Sequence, residues 1–211
     1  VREIDAYAFY ACPSLAAFKV AEENVTYKAV DGVLYLADMK TLVRVPTALT
    51  TLAVPFGVEE IAIRAAVDCS LESVTLPSNL RKIGYKAFCY CESLEAIAIP
   101  LSVETIEGQA FRACVSLRSI SLPENVRFVG WGAFGDCESL RSVGISGDLD
   151  WNSMEDEDWL FDDEIPADCT IYVTQDWTGP KDEWCDCPVQ VVDFDLVDDG
   201  GVARAVCSLD G

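Results

Sequence analysis

The stretch LEAIAIPLSVETIEGQAFRACVS, residues 94–116, decides the fold because the chain repeats it with a fixed period. Residues 71–93 and 117–139 carry similar apolar residues at the same places. Each copy has a proline, an Ala-Phe pair and a cysteine, and the three sets of landmarks are Pro77, Pro100 and Pro123, then Phe88, Phe111 and Phe134, then Cys91, Cys114 and Cys137. An earlier copy starts near Pro55 and lacks one residue after Cys69. Self-similarity with a period of about 20 to 50 residues predicts an array of stacked units.

Each copy contains the pattern of a short β-strand. Leu94, Ile97 and Ile99 alternate with polar or small residues, as in a strand with one buried face, and Pro100 ends the ladder because proline has no N–H to donate. A second apolar stretch, residues 103–106, follows across a turn. One unit cannot bury its own apolar face, but copies stacked about 4.8 Å apart cover one another. The sequence therefore predicts a β-rich solenoid.

The repeat also carries a resemblance to a known family. The pattern SLxSIxLPxxVxxIGxxAFxxCxSL covers residues 48–145 and resembles the BspA-type (Treponema pallidum-like) class of leucine-rich repeats, found in surface proteins of bacteria and some protists. Ile4–Leu15 repeats its second half, with Phe9 and Cys12. The resemblance implies a right-handed solenoid of leucine-rich repeats of about 23 residues, with short helical or 3-10 turns.

Two regions are expected to differ in structure and in charge. We divide the chain into a leucine-rich-repeat solenoid, residues 1–147, and an acidic C-terminal cap, residues 148–211. Residues 16–47 depart from the period and are similar to an enlarged coil with a hairpin. The cap has 19 acidic and 2 basic residues, against 17 and 13 in the solenoid. Terminal units are atypical because the apolar edge of the last coil has to be covered.

Composition excludes several classes of function. The chain has no histidine, which removes Ser-His-Asp and Cys-His nucleophile pairs. A net charge of −21 opposes binding to nucleic acid, and the chain has no run of 18 apolar residues that could insert into a membrane. Paired carboxylates could hydrolyse glycosides, but nothing in the sequence places two of them across a cleft. We therefore expect a protein that is not an enzyme, with no catalytic residues and no cofactors.

One acidic segment resembles the opening of a calcium-binding loop. It is the stretch Asp148-Leu-Asp-Trp-Asn152. Ser153 replaces the glycine that such a loop requires, and Trp159 replaces its bidentate glutamate. We assign no metal site and expect only weak, nonspecific association of divalent cations.

Nine of the ten cysteines fall into two groups, and the tenth, Cys89, lies beside the first group. Five share one repeat position and are expected to form a buried structural ladder, because a free cysteine behaves as a small hydrophobic residue. These are Cys12, Cys69, Cys91, Cys114 and Cys137. Four others lie in the cap, where disulfides, free thiols and a four-thiolate zinc site all stay open, although the Cys-x-Cys spacing is not the one that most favours zinc. These are Cys169, Cys185, Cys187 and Cys207.

A candidate binding surface is predicted where non-core strand positions align between coils. One column consists of small residues, and the neighbouring column consists of acidic and basic residues. The candidate exposed strand face comprises Glu72, Thr75, Glu95, Ala98, Arg118, Ser121, Arg141 and Gly144. Tyr85, Tyr90 and Trp131 form either a second patch or mere cover.

The resemblance implies protein–protein recognition or adhesion as the function. We expect a monomeric fragment of an extracellular or cell-surface protein that binds an unidentified protein ligand. The alternative is a passive spacer or stalk whose repeats only hold another domain away from the surface.

Overall fold

The computed structural model describes residues 1–9, 12–147, 149, 161, 168–184, 187–192, 194–198 and 203–207. These residues form sixteen strands and no helix. The strands are β1 (Tyr27–Val30), β2 (Val33–Leu36), β3 (Thr41–Arg44), β4 (Thr51–Ala53), β5 (Glu60–Ile61), β6 (Ser73–Thr75), β7 (Lys82–Ile83), β8 (Thr105–Ile106), β9 (Ser119–Leu122), β10 (Phe128–Val129), β11 (Ser142–Ile145), β12 (Thr170–Val173), β13 (Glu183–Trp184), β14 (Cys187–Val191), β15 (Phe194–Asp198) and β16 (Ala203–Cys207).

The repeat places equivalent strands of successive coils side by side. The first sheet has the order β1-β2-β3-β5-β7-β8-β10, and its last five strands pair in parallel. Ile61, Ile83 and Ile106 are buried neighbours in this sheet, which explains the isoleucine or valine at that repeat position. The second sheet has the order β13-β14-β12-β11-β9, while β4 and β6 form a separate parallel pair. The result is the stacked, strand-rich repeat fold that the period predicts.

The enlarged coil contains an antiparallel hairpin. β1 pairs with β2, and β2 pairs with β3. The connecting residues Asp31 and Gly32 both have positive φ, 49° and 80°. Two consecutive residues with positive φ form a two-residue hairpin turn whose twist matches that of the paired strands. Val33, Leu34 and Tyr35 of β2 are buried, so the hairpin contributes to the start of the core.

Between the second strand and the cysteine of each coil, the chain makes consecutive tight turns in place of the expected helical or 3-10 turns. In the coil of residues 61–69, the N–H groups of Ala65, Val67 and Cys69 each bond the carbonyl three residues earlier. Arg64 and Asp68 have φ of 57°, and the equivalent residues of the next coils are also left-handed. A left-handed residue cannot continue a right-handed helix, so the turns stay separate.

The core is built from columns of identical side chains. The rings of Phe88, Phe111 and Phe134 stack nearly parallel, with centroids 5.4 and 5.7 Å apart, and all three are fully buried. Gly130 allows the coils to approach, because a Cβ atom there would lie 2.3 Å from the backbone nitrogen of Gly108. The side chains therefore fill the interior, and the backbones of neighbouring coils lie close together at Gly108 and Gly130.

Candidate functional site

The candidate strand face lies on β9 and β11 of the second sheet and on the equivalent segments of the earlier coils. Ser121 of β9 lies opposite Gly144 of β11 in the parallel register, and Ala96 forms a bridge to Ser119, which puts Ala98 beside Ser121. Thr75 occupies the same position on β6. The structure therefore aligns the small residues of the face along the stack of coils. Thr75 and Ala98 are exposed, and Ser121 is half-buried.

An ion pair connects two coils at one side of this face. Arg118 Nη2 lies 3.3 Å from Glu95 Oε2, and the two side chains are 70% and 62% exposed. The backbone supports the alignment, because the Arg118 N–H donates to the carbonyl of Glu95 at 3.1 Å. The pair is therefore held on the surface by the repeat, with both charges open to solvent.

Arg141 continues this row but does not extend the ion pair. Its Nη1 donates to the backbone carbonyls of Glu138 and Leu140, both at 2.9 Å, so the guanidinium folds back over its own turn. The N–H of Arg141 still bonds the carbonyl of Arg118 at 2.9 Å. Arg141 is nevertheless exposed to solvent.

Gly144 corrects the prediction of a wholly exposed face, because it is buried. It has no side chain, and it lies between Ser121 on β9 and Tyr172 on β12. A Cβ atom at Gly144 would lie 3.3 Å from Ser121 Oγ. Gly144 thus adds no accessible surface, and the accessible part of the small-residue column ends at Ser121.

The ladder cysteines of four consecutive coils are buried and donate to the preceding coil. Cys91 Sγ lies 3.2 Å from the carbonyl of Ala66, and Cys114 Sγ lies 3.2 Å from that of Phe88. Burial raises the pKa of the Cys69 and Cys137 thiols to about 12, so both stay protonated at neutral pH. Inert, protonated thiols of this kind are structural.

Cys12 differs from the ladder prediction because it is exposed. The irregular stretch of residues 16–47 follows it in the sequence. The first coil nevertheless contacts the coil of Cys69, because Arg64 Nη2 donates to Tyr7 Oη at 3.0 Å. The Sγ atom of Cys69 lies 3.7 Å from the carbonyl oxygen of Val45 in the enlarged coil. The carbonyl of Cys12 accepts a hydrogen bond from Thr47 Oγ1 at 2.6 Å.

Residues 148–211, which the sequence predicts to form a cap, are described only in part. Cys169 and Cys187 are buried, whereas the side chains of Cys185 and Cys207 lie outside the described residues, as do Asp148 and residues 150–160 of the calcium-loop segment. In the described part of the chain, no group of three or more acidic, cysteine or histidine residues could hold a metal ion. None of the described residues forms a helix long and apolar enough to cross a membrane.

A polar groove of about 610 Å³ is a feature that the sequence analysis missed. It runs along the corner between the two strands of each coil. Its lining residues are Glu59, Asn79, Arg81, Ser102, Glu104, Asn125 and Arg127. The repeat contains the signal for this groove, because the lining residues occupy two positions that recur every 22 or 23 residues. At one of these positions the charges alternate in sign along the chain.

Two asparagines that line the groove are held by hydrogen bonds to the backbone. Asn79 Nδ2 donates to the carbonyl of Val58 at 3.1 Å, and Asn125 Nδ2 donates to that of Leu101 at 2.8 Å. On the wall, Arg81 Nη1 lies 3.1 Å from Glu104 Oε1. The groove is thus a second charged surface, separate from the strand face.

The three aromatic residues of the second patch differ in their exposure and contacts. Tyr85 Oη bonds Gln109 Oε1 at 3.0 Å, and Tyr85 is half-buried. Tyr90 and Trp131 are 47% and 50% exposed. Tyr90 lines a different concavity, together with Asp68 and Glu92.

Comparisons with known proteins agree with this geometry. A family model described as a BspA-type leucine-rich repeat region, in six copies, matches residues 45–154. A search of curated proteins gave no match.

Solved structures from bacteria share the fold. The chain is 31% identical to a leucine-rich cell surface protein of Faecalibacterium prausnitzii A2-165, over 66% of this chain and 38% of that one, with a TM-score of 0.61. It is 23% identical to the pneumococcal vaccine antigen PcpA, over 82% of this chain and 49% of that one, with a TM-score of 0.64. A leucine-rich-repeat protein of Eubacterium ventriosum, 15% identical over 92% and 58% of the two chains, has a TM-score of 0.62. The chain spans half or less of the first two relatives.

Proposed function

Because the chain belongs to the BspA-type leucine-rich-repeat family, we propose that it is a non-enzymatic protein-recognition or adhesion module of an extracellular or cell-surface protein. The surface location is supported by the relatives, one of which is described as a cell surface protein and another as a vaccine antigen. The ligand is a protein whose contact surface carries charges of both signs.

The observation that carries the proposal is the exposed Glu95–Arg118 pair beside a row of small residues. Ala98 and Ser121 have side chains too short to keep a partner at a distance, so a protein backbone can approach the strands. Glu95 and Arg118 then offer one charge of each sign at its edge. Complementary charges at the rim of an interface raise the association rate and exclude wrong partners more than they add affinity.

The strand face also suits a protein better than a small molecule. Its eight residues are small, polar or charged and none is aromatic, whereas small-molecule sites are concave and mostly apolar. Arg141 adds a second cation at the far end of the row, where it can leave the carbonyls of its own turn and meet an acidic group.

Charge reversal on the strand face tests the proposal. The probes are purified extracellular-matrix, mucosal and serum proteins, each applied to the immobilised chain in a biosensor. We expect a probe that binds the wild type to lose about tenfold or more in affinity to the variant with Arg118→Glu and Arg141→Glu. The matched control is the variant with Arg81→Glu and Arg127→Glu in the polar groove, which should bind unchanged.

Both double variants should fold, because exposed ion pairs contribute about 0–1 kcal/mol to stability. Circular dichroism and the thermal midpoint check this before binding is measured. Equal losses in both variants would show that overall charge, and not the strand face, governs binding. A chain that binds none of the probes at about 100 μM would favour a passive spacer and contradict the proposal.

A further inference from the structure

Two cap cysteines lie beside each other on neighbouring strands. β12 and β14 pair in parallel with Ile171 opposite Val189, which places Cys169, two residues earlier, beside Cys187. Neighbouring strands are about 4.8 Å apart, which falls within the Cα separation that a disulfide requires. Cys169 is 2% exposed and Cys187 is 1% exposed. The strand register therefore places the two free thiols at neighbouring positions that a disulfide could join.

The side chains already interact with each other. The thiol of Cys169 shares a hydrogen bond with that of Cys187. This differs from the ladder, where Cys91, Cys114 and Cys137 donate to backbone carbonyls of the preceding coil. The two cap sulfur atoms thus face one another, whereas each ladder sulfur faces the backbone.

The surroundings protect a bond at this place from solvent. Both cysteines belong to the same apolar core as Trp177 and Trp184, whose rings lie 5.1 Å apart. β13 continues the sheet beyond β14, so the pair lies inside the cap and not at its edge. A bond formed here would be shielded from soluble reductants.

We propose that Cys169 and Cys187 form a disulfide that joins β12 to β14 when the chain folds in an oxidising compartment. The oxidant is a small-molecule disulfide, such as oxidised glutathione. One cysteine thiolate attacks it and releases one thiolate, and the second cysteine then attacks the mixed disulfide and releases the other. One protein S–S bond forms, the S–S bond of the oxidant breaks, and the two cysteine protons end on the two released thiols.

The bond forms during folding and not afterwards. The hydrogen bond with Cys187 and burial both raise the pKa of the Cys169 thiol, so the reactive thiolate is scarce once the cap has packed. The oxidant must also reach the pair before β12 and β14 close around it. Refolding under oxidising conditions is therefore required to make the bond.

The test is peptide mapping of the whole chain, refolded from urea with oxidised glutathione. A protease that cleaves before aspartate separates the candidates, because Asp186 lies between Cys185 and Cys187. We expect residues 168–175 linked to residues 186–192 in the non-reduced digest, and the link should disappear after reduction. Linkage of residues 168–175 to residues 182–185 or 199–209, or a fully reduced residue 169, would overturn the proposal.

A second measurement does not depend on the digest. The variant with Cys185→Ser and Cys207→Ser should still lose the mass of two hydrogen atoms on oxidative refolding. Its thermal midpoint should rise by roughly 5–10 °C relative to the reduced form. The variant with Cys169→Ser and Cys187→Ser should show no such rise. An unchanged mass in the first variant would also overturn the proposal.

Discussion

The Sγ atom of Cys114 lies 3.2 Å from the backbone oxygen of Phe88 in the preceding coil. Cys137 has the same relation to Phe111, at the same distance. The oxygen of Phe88 also accepts the N–H of Cys91, so the thiol uses its second lone pair. Cysteine therefore has two roles at this position, since it fills a small apolar space and it satisfies a buried carbonyl.

Removing this thiol should separate the two roles. We expect Cys114→Ala to lower the free energy of unfolding by about 2–3 kcal/mol, because it leaves a cavity and loses the hydrogen bond. Cys114→Val keeps most of the volume and should cost about 1 kcal/mol. Urea unfolding measures both. If the valine variant is as stable as the wild type, the S–H···O contact contributes nothing.

The buried thiols should make stability depend on alkaline pH. Burial raises the pKa of Cys69 and of Cys137 to about 12, whereas a thiol in the unfolded chain ionises near pH 8.5. Between about pH 8.5 and pH 12 the folded protein keeps protons that the unfolded chain releases. Stability is therefore full below about pH 8.5 and falls as the pH rises, by about 1.4 kcal/mol per pH unit for each thiol.

The matched variant for this effect carries Cys69→Val and Cys137→Val. Lysine and tyrosine residues also titrate in this range, but they are common to both proteins. Urea unfolding at pH 8, 9 and 10 should therefore give a shallower decline for the variant. If the free energy of unfolding falls equally with pH in both proteins, these two thiols do not cause the loss of stability at alkaline pH.

The phenylalanine column should be the main energetic link between coils. Phe111 is fully buried and stacks on Phe88 at 5.4 Å and on Phe134 at 5.7 Å. We expect Phe111→Ala to cost about 3–5 kcal/mol in urea unfolding. Phe128→Ala is the control, because Phe128 is 44% exposed and should cost about 1 kcal/mol or less. Similar losses in the two variants would contradict the role of the column.

The stacked coils were predictable because each sequence landmark has a physical cause. Pro100 ends a strand, and Phe111 and Cys114 fill the core at fixed heights. The resulting register follows directly, since Glu60, Lys82 and Thr105 lie side by side and are 22 or 23 residues apart. A period in sequence thus becomes a period in space wherever coils stack without insertion.

The exceptions arise where an insertion breaks this relation. Cys12 has the ladder motif, but the irregular residues 16–47 interrupt the period directly after this coil, and Cys12 is exposed. Gly144 has the strand-face position, but its next neighbour, Tyr172, follows after 28 residues and is not small. Burial of Cys12 and of Gly144 depends on the irregular segment that packs next to each of them. The repeat pattern does not predict how those segments pack.

The contact between Gly130 and Gly108 should not tolerate a methyl group. A Cβ atom at Gly130 would lie 2.3 Å from the nitrogen of Gly108 and 2.7 Å from its Cα atom, and backbone atoms can yield only if the coils separate. We expect Gly130→Ala to cost about 3 kcal/mol or more in urea unfolding. Gly144→Ala is the control, because its nearest atom, 3.3 Å away, is the movable Oγ of Ser121. Equal stability of the two variants would show that the coils separate without cost.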